Sequence, residues 1–187
     1  MAEAEEEAKE QREQQARQKP SPPPLQQKII PSGSKGKWAK PLNQKLEPNT
    51  CYQVDGDKVY ETDHLGRVVK VEAMLSPSVK DRNTYQQRKA GKSGNPGDEG
   101  GHLIASIFNG PGEQINLLPM DGNLNKGEWK KMENKWAEAL NAGSTVQVKI
   151  EPIYHGNNTR PDKFKVVYSM DHGKPIEKIF KNAPGGK

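Results

Sequence analysis

The sequence predicts an α+β fold built on an antiparallel sheet and preceded by a long leader. Three observations carry this expectation. Short runs of alternating apolar and polar residues recur between positions 51 and 180, one run near 126–143 has helical periodicity, and the first fifty residues hold few large apolar side chains. The chain has 187 residues, of which 31% are hydrophobic, and its mean hydropathy is −1.01. With so few apolar residues, the core must lie where they concentrate, which divides the chain into a leader at 1–50 and a folded domain at 51–187.

Residues 1–19 are strong helix formers without an apolar face, so they predict a solvated helix or the end of a longer one. Prolines at 20 and 22–24 stop that helix and favour an extended polyproline segment. From there to about residue 49, Gly, Ser, Pro and Lys mix as in a linker. The leader reads either as a tether to an upstream region or as a tail without a role.

CYQV and KVYET flank Asp55-Gly56-Asp57, which predicts a hairpin, because glycine tolerates positive φ. In RVVKVEAML, Val69, Val71 and Ala73 alternate with polar residues and predict the next strand of a meander. Residues 76–100 are polar and Gly-rich and read as a long loop, a feature that compact domains keep mainly for a site. KGEWKKMENKWAEALNAG reads as a helix from Asn125 onward. At 100° per residue Trp129, Met132, Trp136 and Leu140 fall in one arc of roughly 80°, with Lys130, Lys131, Lys135 and Glu138 opposite. Gly143 stands where a C-terminal cap belongs. TVQVKIEPI, FKVVYSM and PIEKIF follow as strands.

Charge and cysteine content narrow the function. A net charge of +5 fits a polyanionic ligand without requiring one. Cys51 is the only cysteine, which excludes an intrachain disulfide and a cysteine-based zinc site. No apolar run reaches the ~20 residues that span a bilayer, and the acidic start is not a signal peptide. Export would therefore proceed without a cleaved signal. AGKSG at 90–94 contains the Gly-Lys-Ser of a phosphate-binding loop, but the glycine that motif needs five residues before Gly91 is Gln86.

Four histidines remain. His64, His155 and His172 fall in predicted turns, where solvated imidazoles are ordinary. His102 differs, because DEGGHLIA runs from two glycines through the ring into an apolar segment. On this octet alone, a core histidine satisfied by hydrogen bonds and a ligand-facing one are both open. Asn116, Asn123 and Asn125 precede the helix, and Glu133 lies eight residues beyond Asn125. On the same wheel Asn125 and Glu133 both border the apolar arc, where an amide oxygen and a carboxylate need partners. A hard cation that keeps its waters would satisfy both.

DEGGHLIA, with FNGPGEQINLLPMDGNLNKGEWKKMENKW, VQVKIEPIY and TRPDKFKVVYSM, resembles the DNA/RNA non-specific endonucleases of the ββα-metal (His-Me finger) class, and within them the branch found as bacterial toxin domains. The resemblance spans roughly residues 52–171 and implies a ββα-metal motif in the fold. It makes His102 the catalytic histidine, Asn125 the metal ligand, Glu133 the carboxylate that holds metal-bound water, and Asn116 a further active-site asparagine. Members with Asp-Arg-Gly-His have an arginine where this chain has Gly100, with Asp98 and Glu99 as its nearby acids. Arg160 and Arg82 are the candidates to supply that phosphate-binding charge.

The chemistry suits these residue types. Phosphodiester hydrolysis needs a base, charge to neutralise the transition state, and help for the departing 3′ oxygen. Glycines beside His102 would let the backbone turn sharply toward the scissile phosphate. Lys126, Lys130, Lys131 and Lys135 are candidates for phosphate contact or an ordinary solvated face. No base-reading element is visible, so binding is expected to be sequence-tolerant.

The resemblance thus implies an endonuclease dependent on Mg²⁺ or Mn²⁺, with DNA and RNA both candidate substrates and 5′-phosphate ends as product. It further implies the toxin part of an antibacterial effector, acting in the cytoplasm of a target cell, and a cognate immunity protein. The alternative is a catalytically inactive nucleic-acid-binding module of the same fold.

Overall fold

A computed structural model describes residues 2–17 and 25–187. The polyproline expectation for residues 20–24 lies outside these. The leader opens with α1 (Ala2–Arg17), whose described side chains are nearly all exposed, as a helix without an apolar face requires.

A seven-stranded sheet is the frame. Its strands are β1 (Gln26–Ile30), β2 (Thr50–Val54), β3 (Lys58–Thr62), β4 (Val68–Met74), β7 (Val146–Ile153), β8 (Lys163–Met170) and β9 (Ile176–Lys181), adjacent in that order. Every pair is antiparallel except β1 with β2, which run parallel. The β2–β3 hairpin turns on Asp55 and Gly56, both at positive φ (56° and 73°), the pairing a two-residue turn needs. Between β3 and β4 the register shifts, so Thr62 faces Val68 and Glu61 faces Lys70. That bulge puts Val68, rather than the expected Val69, among the buried residues.

The linker expected up to residue 49 is corrected for residues 26–49. Strand β1 extends the sheet, Leu42 and Leu46 enter the core, and Glu113 accepts hydrogen bonds from the backbone of Gly33 (2.6 Å) and Ala39 (3.3 Å). A Gly/Lys-rich segment conceals this role because its contacts are backbone bonds and two leucines, which leave no periodicity in the sequence.

The second layer holds the site. Strands β5 (Asp98–His102) and β6 (Leu117–Asp121) form a separate antiparallel ribbon, followed by α3 (Gly122–Lys126) and α4 (Glu128–Asn141). Helix α4 packs Trp129, Met132 and Trp136 against the sheet. Trp129 stands edge-on to Phe164 and Phe180 at 5.3 and 5.6 Å, and Trp136 to Tyr168 at 5.5 Å. It ends as predicted at Gly143 (φ 87°), where the Ser144 and Gly143 amides return to the carbonyls of Ala139 and Leu140.

Two expectations fail in this layer. The loop at 76–100 contains α2 (Thr84–Lys92), capped by the Asn83 side chain on the Gln86 amide (3.0 Å). The two glycines before His102 are not a turn: they lie inside β5, and neither has positive φ. They are needed for close packing. A Cβ on Gly100 would stand 2.1 Å from the Gln87 carbonyl oxygen, and one on Gly101 would meet Met120 at 2.8 Å. Helix α2 thus lies with its backbone directly on β5, and Gly91 approaches the Gly100 amide from the other side of that contact.

Candidate active site

His102 ends β5, and the chain then dives into the core with Leu103 and Ile104. Asn116 holds this segment. Its Oδ1 accepts from the Ile104 amide (3.0 Å) and the Tyr60 hydroxyl (2.8 Å), and its Nδ2 donates to the carbonyls of Ile104 (2.7 Å) and Pro111 (3.0 Å). Fully buried and saturated, Asn116 has no group left for phosphate or metal. The structure sets it beneath the site, where it fixes the backbone that follows the histidine.

Asn125 belongs to α3, not to α4. Gly127 (φ −101°, ψ −107°) breaks the helix between them, so the single wheel that joined Asn125 to Glu133 does not apply. A Cβ at Gly127 would meet the Asn123 carbonyl oxygen at 2.7 Å, which explains a glycine at the joint. Tertiary packing nevertheless brings the two residues together. His102, Asn125 and Glu133 line one cavity of about 170 Å³, with Arg82, Gln87 and Lys130 on its wall.

The groups in that cavity differ in how they are partnered. Nε2 of His102 is sheltered and makes no hydrogen bond. Burial, reinforced by the Arg82 charge, lowers its pKa to about 4, so the ring is neutral at pH 7. Glu133 is buried, and this raises its pKa to about 7, with Lys130 pulling slightly the other way. Asn125 donates Nδ2–H to Glu99 Oε2 (2.9 Å). A carboxylate can only accept, so this bond fixes the amide with Oδ1 free to face a cation. Burial works to raise the Glu99 pKa, but hydrogen bonds from Lys126 (2.6 Å) and Asn125 outweigh it and the net is lowered, keeping Glu99 ionised.

These groups fit a hydrated divalent cation. An amide oxygen, a partnerless carboxylate and a neutral imidazole suit a metal that retains its waters. Among the described residues no cluster of three His, Cys, Asp or Glu side chains forms a full protein cage.

The remaining candidates divide. Arg82 lines the cavity and, among the described residues, bonds only the neutral Gln87 (3.3 Å). Arg160 does not reach it: its guanidinium grips Asp98 at 2.6 and 3.1 Å and the Asn182 carbonyl at 2.8 Å. Asp98 is thereby committed as well, as a buried ion pair that ties β5 to the segment before β8. Of the four helix lysines, Lys130 faces the cavity, while Lys126 pairs with Glu99 and Lys131 with Glu128. His64, His155 and His172 are exposed in turns or loops. Gln87 went unseen because α2 carries no apolar stripe. Asn83 followed by a run of helix formers was the available signal.

The chain belongs to the DNA/RNA non-specific endonuclease family, whose model matches residues 48–172. Among curated proteins it is 37% identical over 151 residues to the type VII secretion system protein EssD of Staphylococcus aureus strain USA300, covering 76% of this chain and 25% of that protein. The same identity and coverage hold for EssD of strain NCTC 8325 / PS 47. The chain therefore spans about a quarter of the length of these relatives. Among solved structures, NucA from Streptococcus agalactiae with magnesium ion bound aligns with a TM-score of 0.47 and 16% identity, over 64% of this chain and 67% of that one.

Proposed function

We propose that residues 26–187 form a metal-dependent endonuclease domain that cuts DNA, and RNA as a second substrate, without sequence preference, leaving 5′-phosphate ends. The observation that carries this reading is the convergence of His102, Asn125 and Glu133 on one cavity walled by Arg82 and Lys130, with His102 Nε2 unpartnered and the Asn125 amide oriented by Glu99. Family membership supplies the reaction class.

The neutral His102 imidazole takes the proton of the attacking water, as a base in hydrogen-bond reach would. The water oxygen bonds to phosphorus, the bond from phosphorus to the 3′ oxygen breaks, and that oxygen leaves to be protonated. An arriving phosphodiester anion opposes the depressing influence of Arg82 and makes His102 a stronger acceptor. Arg82 and Lys130 stand ready for the non-bridging oxygens, and Glu133 orders water in the cavity. When bound at Asn125 Oδ1, Mg²⁺ or Mn²⁺ would supply charge for the phosphate and the departing oxygen.

We infer further that the domain is the toxic part of an exported effector acting in a target cell's cytoplasm, with a cognate immunity protein that covers the site. The 37% identity to a type VII secretion system protein supports this. Among the described residues no helix is long and apolar enough to cross a membrane.

The test is digestion of supercoiled plasmid and structured RNA by wild type and His102→Ala, each with Mg²⁺ and with EDTA. Wild type should digest only with metal, and the variant should be slower by on the order of 10²–10⁴-fold. A folded wild type that binds plasmid but cuts neither polymer with any divalent metal would instead establish the inactive binding module.

A further inference from the structure

A second, larger depression opens beside the catalytic cavity. It holds about 620 Å³ and lies between α2 and the turn that leads into β5, within the range of sites that hold nucleotide-sized ligands. It shares Arg82, Gln87 and Asn125 with the catalytic cavity, so the two adjoin through common walls.

Charge in this groove is one-sided. Its two acids are already neutralised from outside, Asp98 by Arg160 (2.6 Å) and Glu99 by Lys126 (2.6 Å). Its three cations, Arg82, Arg88 and Lys92, make no ion pair with any described residue, and Arg88 and Lys92 are exposed. Arg88 and Lys92 are four apart on α2 and therefore lie on one face of it. The helix itself is held close by the contact of Gly91 with Gly100, where any side chain on β5 would push it off. The cations thus sit on a rigid element, at a fixed offset from His102.

We propose that this groove is the track along which the substrate's phosphate backbone enters the catalytic cavity, with Arg88 and Lys92 holding phosphates next to the one that is cut. This rests on the nuclease reading for the identity of the polymer. Unpaired cations in a groove that adjoins a phosphodiester-cutting cavity match a polyanion that continues beyond the scissile bond. Backbone contacts of this kind carry no base information, which agrees with a sequence-tolerant enzyme.

The experiment separates the two readings by measuring binding apart from cutting. A fluorescent 20-base-pair duplex is titrated in EDTA with wild type, with Arg88→Gln/Lys92→Gln, and with a charge-matched control, Lys149→Gln/Lys174→Gln, whose residues line neither the groove nor the catalytic cavity. Each lost phosphate contact should reduce the slope of log affinity against log salt by about 0.9. The groove variant should therefore lose about 1.8 in slope and bind roughly 30-fold more weakly at 0.15 M salt, and the control much less. Equal losses in both variants, or none in the groove variant, would overturn the track. Plasmid cleavage in Mg²⁺ is run in parallel: a groove variant that loses binding beside a wild type that never cuts would leave the track standing and remove the nuclease reading alone.

Discussion

Replacing Glu133 by Gln should change how stability depends on pH, by an amount that follows from its burial. In the fold, Glu133 is moved from 4.5 to about 7. At about 1.4 kcal/mol per pH unit, ionising it there costs about 3 kcal/mol more than in the unfolded chain. The folded state holds the proton more tightly, so this group's contribution is intact below pH 4.5 and is lost as pH rises through 7. Glutamine never ionises, so the stability of Glu133→Gln relative to wild type should grow by about 3 kcal/mol between pH 4.5 and 8. His102 works in the other direction. Its folded pKa is depressed to about 4, so its contribution is intact above about pH 6.5 and is lost as pH falls toward 4. In wild type the two oppose each other over the shared window, whereas the variant should show the histidine's rise alone. The assay is urea unfolding in EDTA, followed by the fluorescence of the core residues Trp129 and Trp136. A gap between variant and wild type that stays constant from pH 4.5 to 8 would refute the argument, because it would mean that Glu133 titrates as an ordinary solvated carboxyl.

Three further outcomes follow from the packing around the site. Glu99→Ala removes the acceptor that orients the Asn125 amide, so the Mg²⁺ concentration that half-activates cleavage should rise about 10–100-fold; unchanged metal dependence would show that Asn125 needs no such anchor. Gly100→Ala puts a methyl 2.1 Å from the Gln87 carbonyl oxygen, and should cost at least about 1–3 kcal/mol in urea unfolding, whereas wild-type stability would mean that α2 does not lie on β5. A chain starting at Gln26 should unfold like the full-length protein. One starting at Cys51 loses β1, Leu42 and Leu46 and should lose at least about 3 kcal/mol, at about 1.5–3 kcal/mol per buried leucine; equal midpoints for the two chains would return residues 26–50 to the leader.

The features legible in the sequence are those produced by interactions between near neighbours. The β2–β3 hairpin was visible because Asp55-Gly56 adopts positive φ locally, and α4 because Trp129, Met132 and Trp136 recur at helical spacing. His102, Asn125 and Glu133 were legible for a different reason, as residue types in spaced motifs. The resemblance grouped them in one site, but the single helix expected to relate Asn125 to Glu133 does not exist, because Gly127 interrupts it and packing between separate elements brings them together. Helix α2 and strand β5 left little trace, since they join through Gly91 and Gly100 with backbone against backbone, and no apolar side chain records the contact. Only the tertiary structure could choose between the two arginines. Arg160 and Arg82 are alike as residues, but Asp98, 62 positions away in the chain, takes the first, while the second is left with a neutral partner at the mouth of the site. Asn116 was likewise indistinguishable from a ligand until four hydrogen bonds, one of them from Tyr60 on β3, had used every donor and acceptor it has. The sequence by itself determined which chemical groups this protein carries and its locally driven elements. Tertiary structure decided which of those groups are consumed by one another and which are left free, because pairing over long chain separations depends on where the sheet and helices place each partner.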